Sequence, residues 1–569
     1  MKSKKKTTLP PSEASTASPS WYPWAALAVA LVALWMVYLP ALSAPFLFDD
    51  LSLPFIVPGY EKVPLAGWLN LMRPMVTLSF WMNFQIHGTD PFGYHAVNLL
   101  LHFANGILVG FIAHRLLTLR GVTAAQPLAW FAGAWFVFHP LQTEAVTYVA
   151  SRSENLTVFF FYAAFAWYLY HRGTGISWGN SAIVLVLFGL ACLSKEYSVV
   201  LPGLLILCDL FFADPAWSLA SLKRQWRMYL PVALGAVGGA AFVWTVLSRA
   251  NTAGFSMKDL TWSDYFFTQC RSIWVYAAKW ILPVSQNVDY DFPISRGLLD
   301  HGAFLGLIGL WAGVAGALLL RSRFPLAAFG FLTFLLLLAP TSSFVPIRDV
   351  LVERRVYLAS IGLILIALEF LSRIRWNHAR LAGLVLVVIV YGVATAKRNQ
   401  VWASPLSLWQ DTALKSPHKP RPHFQLAFAH YSDGNFAAAA AEYEKVAQLE
   451  TPDYRLLIDW GLALDGLGQL NEALAKFQAA AQRENTAQAQ ALIGMMQAKQ
   501  GRYSEALAAL DAAEKINGAF EMTYVYRGNV YLAQNQLTQA AEQYQKTLSL
   551  NPNNASAREG LRIASQNRR

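Results

Sequence analysis

Four stretches of this sequence carry residue types that can do chemistry. "FLFDD" sets Asp49 and Asp50 side by side in an apolar, aromatic setting. "FHPLQTEAVTYVASRSEN" holds His139, Glu144, Arg152 and Glu154, and "LSKEYS" holds Lys195 and Glu196. "VPIRDVLVERRVYLAS" brings Arg348, Asp349, Glu353, Arg354 and Arg355 together. A carboxylate at an apolar boundary can serve as general base toward a hydroxyl. Arginine and lysine can hold a departing phosphate, arginine through paired hydrogen bonds. A fifth stretch, "YHAVNLLLHFAN", spaces His95, Asn98, His102 and Asn105 at steps of three, four and three. That spacing is one face of one helix. Hydrogen bonding between helices accounts for such a face, and so does the lining of a cavity.

The elements that must position these groups are helices in a membrane. The chain has 569 residues, 55% hydrophobic and 14% charged, where average globular chains carry about 25% charged residues. The deficit is confined to the stretch between about Trp24 and Ala396, where apolar runs recur. Beyond about Pro417, Ala, Gln, Glu and Lys dominate. We read an all-α chain: a polytopic helix bundle followed by a soluble domain. Its boundaries are a disordered polar tail over 1–20, a membrane domain over 21–400, a linker over 401–420 and a repeat domain over 421–569. About eleven spans are expected, at 23–43, 95–117, 126–140, 154–171, 180–193, 197–213, 229–248, 301–320, 324–340, 354–371 and 380–397. The N-terminal run lacks a clear cleavage site and reads as a retained helix.

The net charge of +11 is distributed as a topological signal, not as a nucleic-acid footprint. With Lys2 to Lys6 cytoplasmic, the loops at Arg115 and Arg120, His171 and Arg172, Lys223 to Arg227, Arg321 and Arg323, and Arg373 to Arg380 all fall inside. The opposite face then receives residues 44–94, 141–153, 249–300 and 341–353, together with the C-terminal domain. Every chemistry-bearing cluster named above lies on that outer face, which fits a shared aqueous cavity. Cys192, Cys208 and Cys270 show no metal or redox spacing. There is no GxxxxGK loop and no dinucleotide fingerprint, which argues against a soluble nucleotide donor. A lipid-linked phospho-sugar would present its phosphate at the depth of these cations.

The soluble part repeats. Ala427, Gly461, Gly494 and Gly528 are spaced by 34, 33 and 34 residues, and Ala439, Ala473, Ala506 and Ala540 keep step. Gly434, Gly468, Gly501 and Asn535 follow the same period, as do Tyr443, Phe477, Leu510 and Tyr544. The pattern resembles the tetratricopeptide repeat. Small residues let paired helices approach, Gly or Asn closes the turn, and large residues fill the space. Four copies make a binding surface, suited to an extended peptide, or else a spacer or self-association module.

With these stretches in order along nearly the whole chain, the sequence resembles the transmembrane-and-tetratricopeptide-repeat O-mannosyltransferases of the GT-C class. The matching segments include "FLFDD", "RPMVTLSFWMNFQIHGTDPFGYHAVNLLLH", "FHPLQTEAVTYVASRSENL", "LSKEYSVVLPGLL", "ERRVYLASIGL" and "RNQVWASPLSLWQDTALKSP". The chain has about four repeats, fewer than longer members. The resemblance implies a GT-C-type bundle that moves a sugar from a polyprenyl-phosphate donor to a Ser or Thr hydroxyl of a protein, with inversion, outside the cytoplasm. It implies Asp49 or Asp50 as catalytic carboxylate, of which we favour Asp49; from their chemistry, Arg152, Lys195 and Arg354 or Arg355 are expected to clamp the donor phosphate. His95, His102, His139, Glu144 and Glu196 are expected as polar groups of the cavity. It implies no required metal, while the acidic pair leaves a divalent metal open. The expected partners are the lipid donor, membrane lipids and a protein acceptor recruited by the repeats; nucleic acid is not among them. The expected location is a bacterial inner membrane, with the repeats periplasmic. Two alternatives keep part of this reading: transfer of an oligosaccharide from a lipid pyrophosphate, and a non-enzymatic membrane scaffold.

The topology is testable directly. A cysteine introduced near Asn553 should react with a membrane-impermeant thiol reagent in intact spheroplasts. Labelling only after lysis would place the repeats on the inner side and overturn the charge-based assignment.

Overall fold

A computed structural model describes residues 22–213, 216–249, 254–255, 257, 259–375 and 377–566. The expected tail over 1–20 lies outside the described residues. The chain divides into two units, and they are described in turn.

The first unit, residues up to 284 with 295–348 and 353–400, is built from long apolar helices. In chain order they are α1 (Tyr22–Leu42), α2 (Pro74–His87), α3 (Pro91–Leu119), α4 (Ala125–Phe138), α5 (Arg152–His171), α6 (Trp178–Ser194), α7 (Leu201–Phe212), α8 (Trp226–Arg249), α9 (Trp262–Ile281), α10 (Ala303–Leu320), α11 (Pro325–Leu338), α12 (Val356–Leu371) and α13 (His378–Val401). A helix overlies each of the eleven expected spans. Among the described residues four stretches, Pro23–Leu42, Pro91–Leu119, Asp300–Leu320 and His378–Val401, are long and apolar enough to cross a membrane; α6 and α11 are shorter and apolar.

The starts of these helices follow from local chemistry. Pro74, Pro91 and Pro325 occupy first-turn positions, where a missing N–H costs nothing. The Asp90 carboxylate accepts from the Phe92 N–H, and Ser177 from Asn180. The sequence reading misses α2 and α9. Helix α9 is amphipathic, opened by a Thr261–Asp264 capping box, and carries too many polar residues to register as a span.

Close helix contacts in this unit rest on glycine. A Cβ on Gly330 of α11 would lie 2.5 Å from the Gly362 carbonyl of α12, and one on Gly362 would lie 2.5 Å from the Gly330 carbonyl. Backbone on both sides cannot yield, so the two helices approach as small-residue membrane pairs do.

The second unit comprises 285–294, 349–352 and 401–569. The expected linker over 401–420 is ordered: it contains α14 (Pro405–Lys415), opened by a Ser404–Ser407 cap, and belongs to this unit. Four helix pairs follow: α15 (Pro420–Ser432) with α16 (Phe436–Leu449), α17 (Tyr454–Gly466) with α18 (Leu470–Arg483), α19 (Ala487–Lys499) with α20 (Tyr503–Ile516), and α21 (Glu521–Ala533) with α22 (Leu537–Leu550). Helix α23 (Ala555–Gln566) caps the stack. The repeat periodicity is realised atom by atom. A Cβ on Gly461, Gly494 or Gly528 would meet Phe477, Leu510 or Tyr544 at 2.5–2.8 Å. The small residue of one helix is the seat of the large residue of its partner. Gly434, Gly468, Gly501 and Asn535 all turn with positive φ, between 60° and 76°, the left-handed conformation that glycine and asparagine adopt at least cost.

An ionic hub ties the outlying segments to the start of the stack. Lys419 and Arg421 both donate to the Asp289 carboxylate, and Arg421 also donates to Asp349 at 2.8 Å. Asn287 donates to the Ser416 hydroxyl at 2.8 Å, which donates to the Asp289 carbonyl.

Gly330→Ala should destabilise the detergent-solubilised protein by about 1–3 kcal/mol, read as a lower thermal midpoint. Gly179→Ala, with nothing within 4 Å of its added Cβ, should leave the midpoint where it is. Equal midpoints for both would show that the α11–α12 approach is not tight.

Candidate active site

The acidic pair follows α1 on a short 3-10 turn, Phe48–Ser52. Phe48 has φ +52°, a left-handed conformation that costs a bulky residue about 1–3 kcal/mol. The carboxylate beyond it, Asp50, is 1% exposed. It accepts from the Leu47 N–H at 3.1 Å and the Ala150 N–H at 2.7 Å, one on each oxygen. Burial pushes the Asp50 carboxyl up to about 7, against the opposing pull of these N–H groups. Asp49 is exposed, and its backbone N–H donates to the Tyr148 hydroxyl at 3.0 Å. The two neighbours are thus in different environments, one enclosed and one open to a substrate.

Three cation–carboxylate pairs stand at helix ends and on the short segments between helices. Arg73, at the start of α2, makes two bonds to Glu196, at 2.9 and 3.3 Å. Lys195 and the Tyr197 hydroxyl both donate to Glu154. Arg354 donates to Glu144 from its guanidinium and, at 3.1 Å, from its backbone N–H. The side chains of Arg73, Lys195 and Arg354 are 33%, 15% and 26% exposed, so each cation is paired on one side and reachable on another. Arg73 and Glu196 act electrostatically on Lys195, and Glu154 acts on Arg354. Tyr148 links this group to the acidic pair: the Arg354 guanidinium lies 6.0 Å from its ring centre, and both carboxylates act on its hydroxyl. Burial lowers the pKa of Lys195, opposed by Glu154, and raises that of Glu144, opposed by Arg354.

Other expected site residues have different positions. Arg152 is fully buried. It donates to Asn98 at 2.8 Å, Asn83 at 2.6 Å and the Tyr94 carbonyl at 2.7 Å, and its guanidinium lies over the Phe80 ring at 4.7 Å. An enclosed guanidinium holding three helix elements is a staple, out of reach of a lipid phosphate. Arg355 donates to Tyr265 at 3.1 Å, away from the Glu144 pair. The histidines are also staples. His95 meets the Ala44 carbonyl, His102 the Tyr357 hydroxyl and Val137 carbonyl, and His139 the Trp280 carbonyl, at 2.8–3.1 Å. The polar face of α3 is therefore spent on bonds between helices. Glu144 and Glu196 hold the site's cations. Asp349, grouped with Arg354 in the sequence, pairs with Arg421 in the second unit.

Arg73, Tyr148 and Tyr197 are missed by the sequence reading. Arg73 stands in the same expected outer segment as Asp49, and that signal could have found it. The tyrosines carry none, because an aromatic in such a sequence reads as core. Among the described residues no three His, Cys, Asp or Glu side chains converge as a metal ligand set. The three cysteines are free.

The fold and this cluster define a helical membrane protein with a polar site at one set of helix ends and a tetratricopeptide array. Two family profiles match the array, a tetratricopeptide repeat over 458–519 and a TPR repeat over 528–561. The chain as a whole is similar to proteins named protein O-mannosyl-transferase. It is 24% identical over 480 residues to Tmtc3 of Drosophila melanogaster, covering 70% of this chain and 51% of that protein. It is 22% identical over 546 residues to human TMTC3, covering 85% and 58%. Over 193 residues it is 32% identical to Drosophila Tmtc1, covering 31% and 21%. The chain spans about half the length of the first two relatives. Among solved structures, YrrB, a TPR protein with an unusual peptide-binding site, is 19% identical, with TM-score 0.24 over 32% of this chain and 88% of that one.

Asp50 carries a pH signature. Its native pKa of about 7 lies above the unfolded carboxylate value near 4. The native state therefore binds more protons between those values, and stability present at low pH is lost as pH rises through about 7. The thermal midpoint should fall between about pH 4 and pH 7 and level off above, and the fall should be shallower in Asp50→Asn. Parallel curves would show that Asp50 titrates normally.

Proposed function

We propose that this protein transfers a sugar from a polyprenyl-phosphate donor to a Ser or Thr hydroxyl of a protein. The observation that carries the reading is the exposed Asp49 bonded to Tyr148, whose ring lies against Arg354, with the partly exposed Lys195 and Arg73 coupled to the same cluster of charges. Its similarity to proteins named O-mannosyl-transferases supports mannose as the sugar.

Asp49 is the base, because only an exposed carboxylate can reach an acceptor hydroxyl. It takes the hydroxyl proton as the oxygen attacks the anomeric carbon, and the bond from that carbon to the phosphate oxygen breaks, with inversion. Arg354, Lys195 and Arg73 receive the charge that develops on the phosphate. Glu144, Glu154 and Glu196 keep these cations extended and apart before the donor arrives. Asp50 holds the turn that aims Asp49, and Arg152 holds the helices beneath it. The site faces the extracytoplasmic side in the charge-based topology.

The repeat array takes the protein acceptor. Phe428, Leu462 and Met495 occupy the same repeat position on α15, α17 and α19; Phe428 is 41% exposed and the other two are half-buried. A strip of apolar side chains at one repeat spacing suits an extended polypeptide.

In vesicles supplied with polyprenyl-phosphate mannose and a Ser/Thr peptide, the protein should add one hexose, read by peptide mass. Asp49→Asn should lower the rate at least about a hundredfold. Arg73→Gln and Arg354→Gln should each lower it about ten- to a hundredfold, while Arg120→Gln should not. Full activity in Asp49→Asn would remove this site from the chemistry.

A further inference from the structure

A groove of about 390 Å³ opens between α1, α3 and α4, the first two of which are long and apolar enough to cross a membrane. It is floored by Gly106, Gly110 and Gly133 and walled by Phe103, Phe111 and Trp130. Its volume lies in the range of ligand pockets, and its lining includes no carboxylate. One end is polar. His114 and Tyr170 line it and meet at 3.4 Å. Arg115 lies beside them with its guanidinium 5.4 Å from the Tyr170 ring centre. The Arg115 Nε donates to the Leu169 carbonyl at 3.2 Å, and its two terminal amino groups have no hydrogen-bond partner among the described residues.

We infer that this groove is a binding site for an anionic diacyl phospholipid, with one acyl chain along the glycine floor and the phosphate on Arg115. Its surroundings in a bilayer are hydrocarbon, so a lipid chain is the solute at hand. The half-free guanidinium, with no carboxylate in the lining, selects a negative headgroup. The occupant is distinct from a sugar donor in its reacting position. His95, whose ring meets the Ala44 carbonyl, marks the Asp49 end of α3, and His114 stands 19 residues further on, about 28 Å along the helix. A phosphate held at Arg115 is a bilayer core away from the acidic pair. The inference is independent of the proposed sugar transfer.

The test is native mass spectrometry of the full chain, with phosphatidylglycerol or phosphatidylcholine added to delipidated protein in detergent. The expected result is a bound phosphatidylglycerol that raises the thermal midpoint. Arg115→Gln should weaken it roughly tenfold without changing phosphatidylcholine binding. Ala30→Phe, which fills the groove from α1, should weaken both lipids, and Arg120→Gln neither. Equal binding of the two lipids by the unaltered protein, an unchanged preference in Arg115→Gln, or stronger binding of polyprenyl phosphate than of phosphatidylglycerol would each overturn the assignment.

Discussion

Arg152 carries a positive charge with no part of its side chain in contact with solvent. Leaving such a group unpartnered would cost several kcal/mol, so the surrounding chain is built to receive it. Asn83 of α2, Asn98 of α3 and the Tyr94 carbonyl take its hydrogen bonds, and the Phe80 ring covers one face. Asn98 in turn donates to the Val146 carbonyl. The start of α5, the polar face of α3 and the loop before α5 are thereby held in one register. That loop presents the Ala150 N–H to Asp50 and the Tyr148 hydroxyl to the Asp49 backbone. The acidic turn is thus held in part by the loop that leads to a fully buried cation.

The same constraint explains why the site's own charges come in pairs. A lone lysine or glutamate at this depth would be neutralised or expelled. Lys195 with Glu154, Arg354 with Glu144 and Arg73 with Glu196 each satisfy the carboxylate while leaving part of the cation exposed. Cations held extended in this way can meet an anion without the entropy of gathering them. Two of the pairs also set a sign asymmetry: Glu154 and Glu144 are enclosed while Lys195 and Arg354 are partly exposed, whereas Arg73 and Glu196 are exposed to a similar degree. Such an arrangement favours an anion.

The second unit solves a different problem. Each helix pair has too little apolar surface to stand alone, and stacking supplies the rest. Its order was legible in the sequence because one residue period serves packing and turn together. The small residue at Gly461 is small because Phe477 lies against it, and Gly468 turns with φ +74° because the next helix must return. The array's internal geometry therefore follows from nearest-neighbour contacts, which a periodic sequence displays.

In the first unit the sequence by itself determined the existence and order of the apolar helices, though not of α2 and α9, since long apolar runs have few other stable states. It also marked the acidic pair and most of the basic residues, because charge is rare enough in such a chain to stand out. It did not determine which of those charges were working groups. Arg152, Lys195, Arg354 and Arg355 look alike in sequence. Enclosure makes Arg152 a staple, partial exposure beside a glutamate leaves Lys195 and Arg354 open, and a tyrosine draws Arg355 aside. Asp49 and Asp50 differ by one position and by almost the whole of their solvent contact, because a left-handed Phe48 turns the chain between α1 and the pair. Arg73 joined the site only when α2 brought it beside Glu196, 123 residues away. Charge is a property of the residue, but access to it depends on which distant backbone closes over it, and only the tertiary structure decides that.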